Sequence, residues 1–253
     1  MPNYVTNVIK YDGDPEQIRK MLEFIKDDKH GLGTIDFNKL IPRPSSLDIE
    51  AGSRTDHGLR AYNQFVEVYT LGGTLDKDLL HIPEESEAVF LRMRKDIKPD
   101  EWELGKKAFQ NCERFGAPTW YEWCVENWGT KWGACGYSEG QDYSHAGELR
   151  FDTAWSAPHP VIEKLASLYP DITFTHEWAD EDIGNNLGRR EYENGELTSE
   201  YSPFFHKESI EFACQVMEKE PSDWGLKLTE DGSDYVYMDD EEMESFEMGG
   251  PSL

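Results

Sequence analysis

A chain of 253 residues with 51 acidic against 25 basic side chains carries a formal charge of -26, a field that repels phosphate backbones and draws basic partners. Its composition, 38% hydrophobic and 13% aromatic with a mean hydropathy of -0.72, can fill one sizeable core, yet no apolar run approaches the roughly 20 residues of a membrane helix. Direct nucleic-acid binding and membrane insertion are therefore disfavoured.

The polar start MPNYVTNVIKYDGD lacks the basic and apolar regions of a secretion signal, so the cytoplasm is the expected location. Cys112, Cys124, Cys135 and Cys214 have no C-x-x-C spacing and read as reduced, mostly buried thiols.

In chain order, Asn3 to Tyr11 is β-branched and aromatic and reads as a strand. Asp14 and Pro15 then cap and open a helix with Ile18, Met21, Leu22 and Ile25 at helical spacing. Pro42 and Pro44 break the next stretch. Ala61 to Leu71 fits either period, with helix preferred, and two helices follow from Pro83 and Pro99. Thr119 with Glu122 forms a capping box for a helix over WYEWCVENWG, and WGACGY leads into a strand or a turn.

Glu148 to Trp155 alternates as a strand, Pro158 to Leu168 has a helical apolar face, and Asp171 to Trp178 alternates again. LGRREYENGELTSEY reads as a strand followed by a tight turn at Asn194-Gly195. Ser202 and Pro203 are expected to start the last helix. The acid-rich end, with nine acids and no Lys or Arg over 230–247, reads as a weakly structured tail.

This order predicts an α+β fold. We expect a ferredoxin-like antiparallel sheet with helices on one face, forming a single domain over 1–225 with a mostly helical insertion at about 45–115. The tail would occupy 226–253. Trp120, Trp123, Trp128, Trp132, Trp155 and Trp178 are assigned to a structural aromatic cluster, because Trp carries much of the burial energy where elements meet.

Candidate chemistry is sparse, and neither a catalytic residue, a cofactor nor a metal is expected. The carboxylates Glu177, Asp180, Glu181 and Asp182 before Gly184 lack the spacing of a calcium loop and read as a solvated turn. His145, His159 and His176 fall on different elements. Cys124 with His159 or His176 would make a nucleophile pair only if the thiol were activated, and its place on the Trp face argues for burial instead. His176 reads as a hydrogen-bonded core histidine. GLGT and LGGTLDKD lack the features of phosphate loops. An enzyme reading would use Glu177, Asp180 and His176; a single-strand reading would stack bases on the aromatic sheet face beside Arg150, Arg189 and Arg190.

The blocks MPNYVTNVI, WYEWCVENWGTKW, FDTAWSAPHPVIEKLASLYPDI and EDIGNNLGRREYENGE resemble the YubB-like ferredoxin-like proteins of bacteriophages and conjugative plasmids. The resemblance covers the N-terminal unit and roughly residues 119 to 197. It implies a ferredoxin-like domain from a mobile genetic element in a bacterial host, and it carries over no activity. With the charge, it leads to the expectation of an accessory protein that binds and inhibits a basic, nucleic-acid-handling host or defence protein by acidic mimicry. Its partner-facing residues would be Asp180, Glu181, Asp182, Asp239, Asp240, Glu241, Glu242 and Glu244.

Overall fold

The computed structural model describes residues 3–70, 84–144 and 147–239. Strand β1 (Tyr4–Asp12) leads into helix α1 (Pro15–Ile25), whose first turn is capped by the Asp14 carboxylate accepting from the N–H groups of Glu16 and Gln17. A short helix α2 (Phe37–Leu40) follows, then α3 (Ser53–Thr70), α4 (Glu84–Met93), α5 (Pro99–Phe115) and α6 (Trp120–Trp128). Gly116, with φ 75, closes α5 in the left-handed conformation that glycine tolerates. The Thr119 hydroxyl accepts from the Tyr121 N–H and donates to the Glu122 carboxylate, a side-chain cap that differs from the expected capping box, in which each side chain would meet the other residue's backbone N–H.

Strand β2 (Glu148–Ala154), helix α7 (His159–Leu168) and strand β3 (Thr173–Asp180) come next. Then β4 (Gly188–Glu193) turns through Asn194 and Gly195, at φ 53 and 81, into β5 (Glu196–Tyr201). Positive φ at both turn positions is what a two-residue hairpin of matching twist demands. Helix α8 (His206–Met217) and a small hairpin of β6 (Leu226–Leu228) with β7 (Tyr235–Tyr237) complete the described chain.

The five-stranded sheet has the order β2-β1-β3-β4-β5, with every neighbouring pair antiparallel. Since β2 and β3 both run against β1, they are parallel to each other, and α7 crosses between them over the central strand. This is the split β-α-β arrangement of ferredoxin-like folds.

Register decides which side chains are buried. Val5, Asn7 and Ile9 of β1 face Thr153, Phe151 and Leu149 on one side, and Asp180, Trp178 and His176 on the other. All of these are buried. Helix α2 sets Phe37 edge-on to Phe151 at 5.8 Å and to Trp128 at 5.7 Å, and the Trp128 indole N–H donates to the Ile41 carbonyl at 2.9 Å. Helix α7 covers the rest of this face with Val161, Ile162 and Leu165. Each large side chain removed from water here contributes about 1.5–3 kcal/mol.

The chain divides into two compact units: Met1–Pro42 with Asn127–Leu253, and Arg43–Glu126. The second unit has its own core of Ala61, Tyr62, Phe65, Phe90, Ile97 and Trp102. Two glycines let α3 and α5 touch: a Cβ on Gly58 would lie 1.8 Å from the Glu101 carbonyl oxygen, and one on Gly105 would lie 2.1 Å from the Gly58 carbonyl carbon.

Several sequence expectations change in detail. The inserted unit is wider than about 45–115, and its boundary falls inside α6. The helices over one face are joined by α8 on the opposite face, where Ala213 and Val216 pack on Val8 and Ala179. That helix starts at His206 instead of Ser202, because Phe205 keeps an extended conformation as its N-cap. This leaves Phe204 and Phe205 outside the helix and exposed. The tail beyond 226 is structured at its start, since Leu226 is buried against Ile210 and Cys214.

Candidate functional site

The most constrained local structure lies just past the end of β2. Trp155 holds φ 73 and Asn186 holds φ 44. Asparagine tolerates this left-handed region, but for a bulky residue such as Trp it is a genuine outlier. The turn is held on every side. Thr130 Oγ1 donates to the Ala154 carbonyl at 2.7 Å, Thr153 Oγ1 donates to the Ser156 carbonyl at 2.8 Å, and the Trp155 N–H donates to Asn3 O at 2.9 Å. Ser156 in turn donates its hydroxyl to the Gly129 carbonyl. Strain of this kind persists only where surrounding bonds over-determine it.

Asn186 ties the turn to the acidic loop after β3. Its side-chain amide donates to the Trp155 carbonyl at 3.0 Å and to Asp180 Oδ2 at 2.9 Å. The other Asp180 oxygen accepts from the Asp182 N–H at 2.9 Å and from Asn3 Nδ2 at 3.4 Å. Asp180 is buried, so it braces the turn and does not face a partner, contrary to the sequence expectation. Glu181 and Asp182 are exposed beside it. Asp239 is exposed too, whereas Asp240, Glu241, Glu242 and Glu244 lie outside the described residues.

Trp155 is 41% exposed. The Lys131 ammonium sits 4.6 Å from its ring centroid and 4.9 Å from that of Trp132. Both distances fall inside the roughly 6 Å range of a cation–π contact. The expected aromatic cluster is therefore split. Trp123, Trp128 and Trp178 are buried, Trp120 and Trp132 are partly covered, and Trp155 faces solvent. A strand pattern places Trp155 on the Leu149, Phe151 and Thr153 face, but its backbone leaves the strand conformation at that residue and takes the side chain out of the core.

Of the three histidines singled out in the sequence, His145 lies outside the described residues, while His159 is partly and His176 fully covered. His176 is fully buried, and its Nε2 meets Asn7 Oδ1 at 3.0 Å. Because the Asn7 amide nitrogen donates to the Val5 carbonyl and to Thr153 Oγ1, both at 2.9 Å, Oδ1 is the accepting atom and His176 carries its proton on Nε2. His159 stacks edge-on against Trp178 at 4.6 Å and His176 at 5.7 Å. Burial, reinforced by nearby Arg190, pushes His159 down to about 4. Burial, with His159 and Arg190 beside it, pushes His176 well below its ordinary value. Both are neutral core groups near neutral pH.

The residues of the enzyme reading do not converge. The sheet pleat puts Glu177 on the face opposite His176 and Asp180, where it pairs with Lys10 at 2.7 Å. Burial raises all four thiols, including Cys124, so none is an activated nucleophile. Among the described residues, no three His, Cys, Asp or Glu side chains gather as metal ligands would. Of the rings that the base-stacking reading would use, Phe151, Phe174, His176 and Trp178 are buried. Its arginines are also engaged: Arg150 donates to the Val216 carbonyl at 2.7 Å, Arg189 reaches Glu191, and Arg190 bridges Glu200 and Glu163.

Sequence reasoning missed Lys131, Asn186 and the exposed Phe204 and Phe205. The available signal was the Lys131-Trp132 pair in a glycine-flanked turn and the Asn185-Asn186 pair after Gly184.

Sheet order, crossover and burial define a ferredoxin-like α+β domain. Residues 128–220 match the family model described as the ferredoxin-like domain in Api92-like protein. A crystal structure of protein Api92 from Yersinia pseudotuberculosis aligns with 81% of this chain and 100% of that chain, at 11% identity and a TM-score of 0.34. No match was found among curated proteins. The resemblance read from the sequence thus holds at the level of a ferredoxin-like domain. No helix among the described residues is long and apolar enough to cross a membrane.

Proposed function

We propose that this chain is a non-catalytic binding protein that docks on, and blocks, a protein with a basic surface. The observation that carries this reading is the charge of -26 on a chain whose sheet arginines are already paired with its own groups. Among the described residues, carboxylates such as Glu181, Asp182 and Asp239 are exposed, where they favour a basic partner and speed its approach. A nucleic-acid-handling protein of a host or a defence system, with a groove built for phosphates, has the complementary field. The further reading of a phage or plasmid accessory protein rests on the sequence blocks that resemble the YubB-like proteins.

An affinity pull-down from bacterial lysate, with and without nuclease and at low and high salt, tests this. The expected result is a nuclease-resistant basic protein released at about 1 M salt, where the Debye length falls to about 3 Å. Recovery of nucleic acid, or of a partner insensitive to salt, would overturn it.

A further inference from the structure

We propose that Trp155 is the docking point for a lysine or arginine side chain of the basic partner, and that Lys131 occupies this place in the unbound protein. The inference rests on the binding reading above and gives it a site. Three observations carry it. The first is that the chain already seats a cation on this ring: the Lys131 ammonium lies 4.6 Å from Trp155 and 4.9 Å from Trp132. An indole face attracts ammonium and guanidinium groups through its quadrupole, and Trp is the best of the aromatic side chains for this.

The second is the way Trp155 is presented. Trp155 is 41% exposed on a backbone at φ 73, which carries its side chain out of the core. Asn186, braced by the buried carboxylate of Asp180, fixes the turn from behind. A rigid aromatic anchor costs little entropy when a partner arrives, which is why Trp is enriched among interface residues that dominate binding.

The third is charge complementarity. Glu181 and Asp182 are exposed at the same end of the sheet, because β2 and β3 both finish there against the start of β1. Tyr4 pairs with Ala154 and its N–H donates to Glu181 at 3.0 Å, so a single residue separates the indole turn from this carboxylate. A basic segment laid across the strand ends would meet Trp155 with one side chain and Glu181 and Asp182 with its neighbours.

Fluorescence anisotropy with a labelled peptide of alternating glycine and arginine, at low salt, tests the assignment on the full chain. Trp155→Ala is expected to weaken binding about three- to tenfold, the size of a partly desolvated cation–π contact, and Trp155→Phe to recover part of it. Lys131→Met is expected to tighten binding more than Lys164→Met, which removes the same charge from the exposed surface of α7. Failure of the wild-type protein to bind the peptide would sink the binding reading itself. Binding by the wild type that Trp155→Ala and Lys131→Met both leave within twofold would remove this site and leave that reading standing. Preference for a thymidine oligonucleotide, lost in Trp155→Ala, would overturn the proposal in favour of base stacking, and a concentration-dependent dimer lost in that variant would overturn it in favour of self-association.

Discussion

The side-chain amide of Asn186 donates to the main-chain carbonyl of Trp155 at 3.0 Å, and both residues hold left-handed backbone conformations. One strained residue thus supports another across the end of the sheet. The buried Asp180 carboxylate completes the arrangement by accepting a second bond from the same amide at 2.9 Å. A carboxylate buried without a partner would be costly, and here backbone and amide N–H groups offset that cost.

The strain predicts an inverted order of stability at position 155. In a strand, Ala is more stable than Gly, but at φ 73 the Cβ is penalised. Trp155→Gly should therefore be more stable than Trp155→Ala by about 1 kcal/mol. Urea unfolding of the two variants measures this difference, and the ordinary order, Ala above Gly, would mean the turn is not held as described.

Acid should destabilise the fold through the two core histidines. In the unfolded chain both titrate near the ordinary value of 6.5, whereas His159 in the fold is pushed down to about 4 and His176 well below its ordinary value. Between those values the unfolded state binds protons that the native state refuses, so stability rises with pH. The stabilising effect of keeping both rings neutral is fully present above pH 6.5 and is lost as pH falls toward 4. Urea titrations across this window should give a slope approaching two protons, and His176→Gln, which can still donate to Asn7, should reduce it by about one. An unchanged slope in that variant would place the proton uptake elsewhere.

The α3–α5 contact should tolerate no side chain at its glycines. Gly58→Ala puts a methyl group 1.8 Å from the Glu101 carbonyl oxygen, which forces the two helices apart. Overpacking of this kind costs about 1–3 kcal/mol or more. Gly133→Ala, where a Cβ would meet nothing within 4 Å and φ is not positive, should change stability by no more than about 0.5 kcal/mol. Thermal unfolding followed by circular dichroism compares the two, and equal melting temperatures would contradict the close crossing.

Much of the fold is written in local pattern. The strand at Tyr4–Asp12, the Asp14-Pro15 helix start, the Thr119 cap and the Asn194-Gly195 hairpin are each set by side chains acting on their own neighbours in sequence. Alternation likewise identified the buried face of Phe174, His176 and Trp178, because period two is a property of the strand itself. The net charge needs no structure at all.

The site was not legible in the same way. Nothing in the sequence distinguishes Trp155 from Trp128, yet one is 41% exposed and the other 2%. Their fates depend on a backbone angle at the end of β2 and on an asparagine brought across from the loop after β3. The same holds for the acidic run 180–182. Chain pairing buries Asp180 against Asn3 and Asn186, while Glu181 and Asp182 stay in water. Composition and periodicity fix which residues are able to be buried or charged. Which of them meet is set by strand register and loop geometry, and those depend on contacts between residues more than 150 positions apart, such as Asn3 with Asp180.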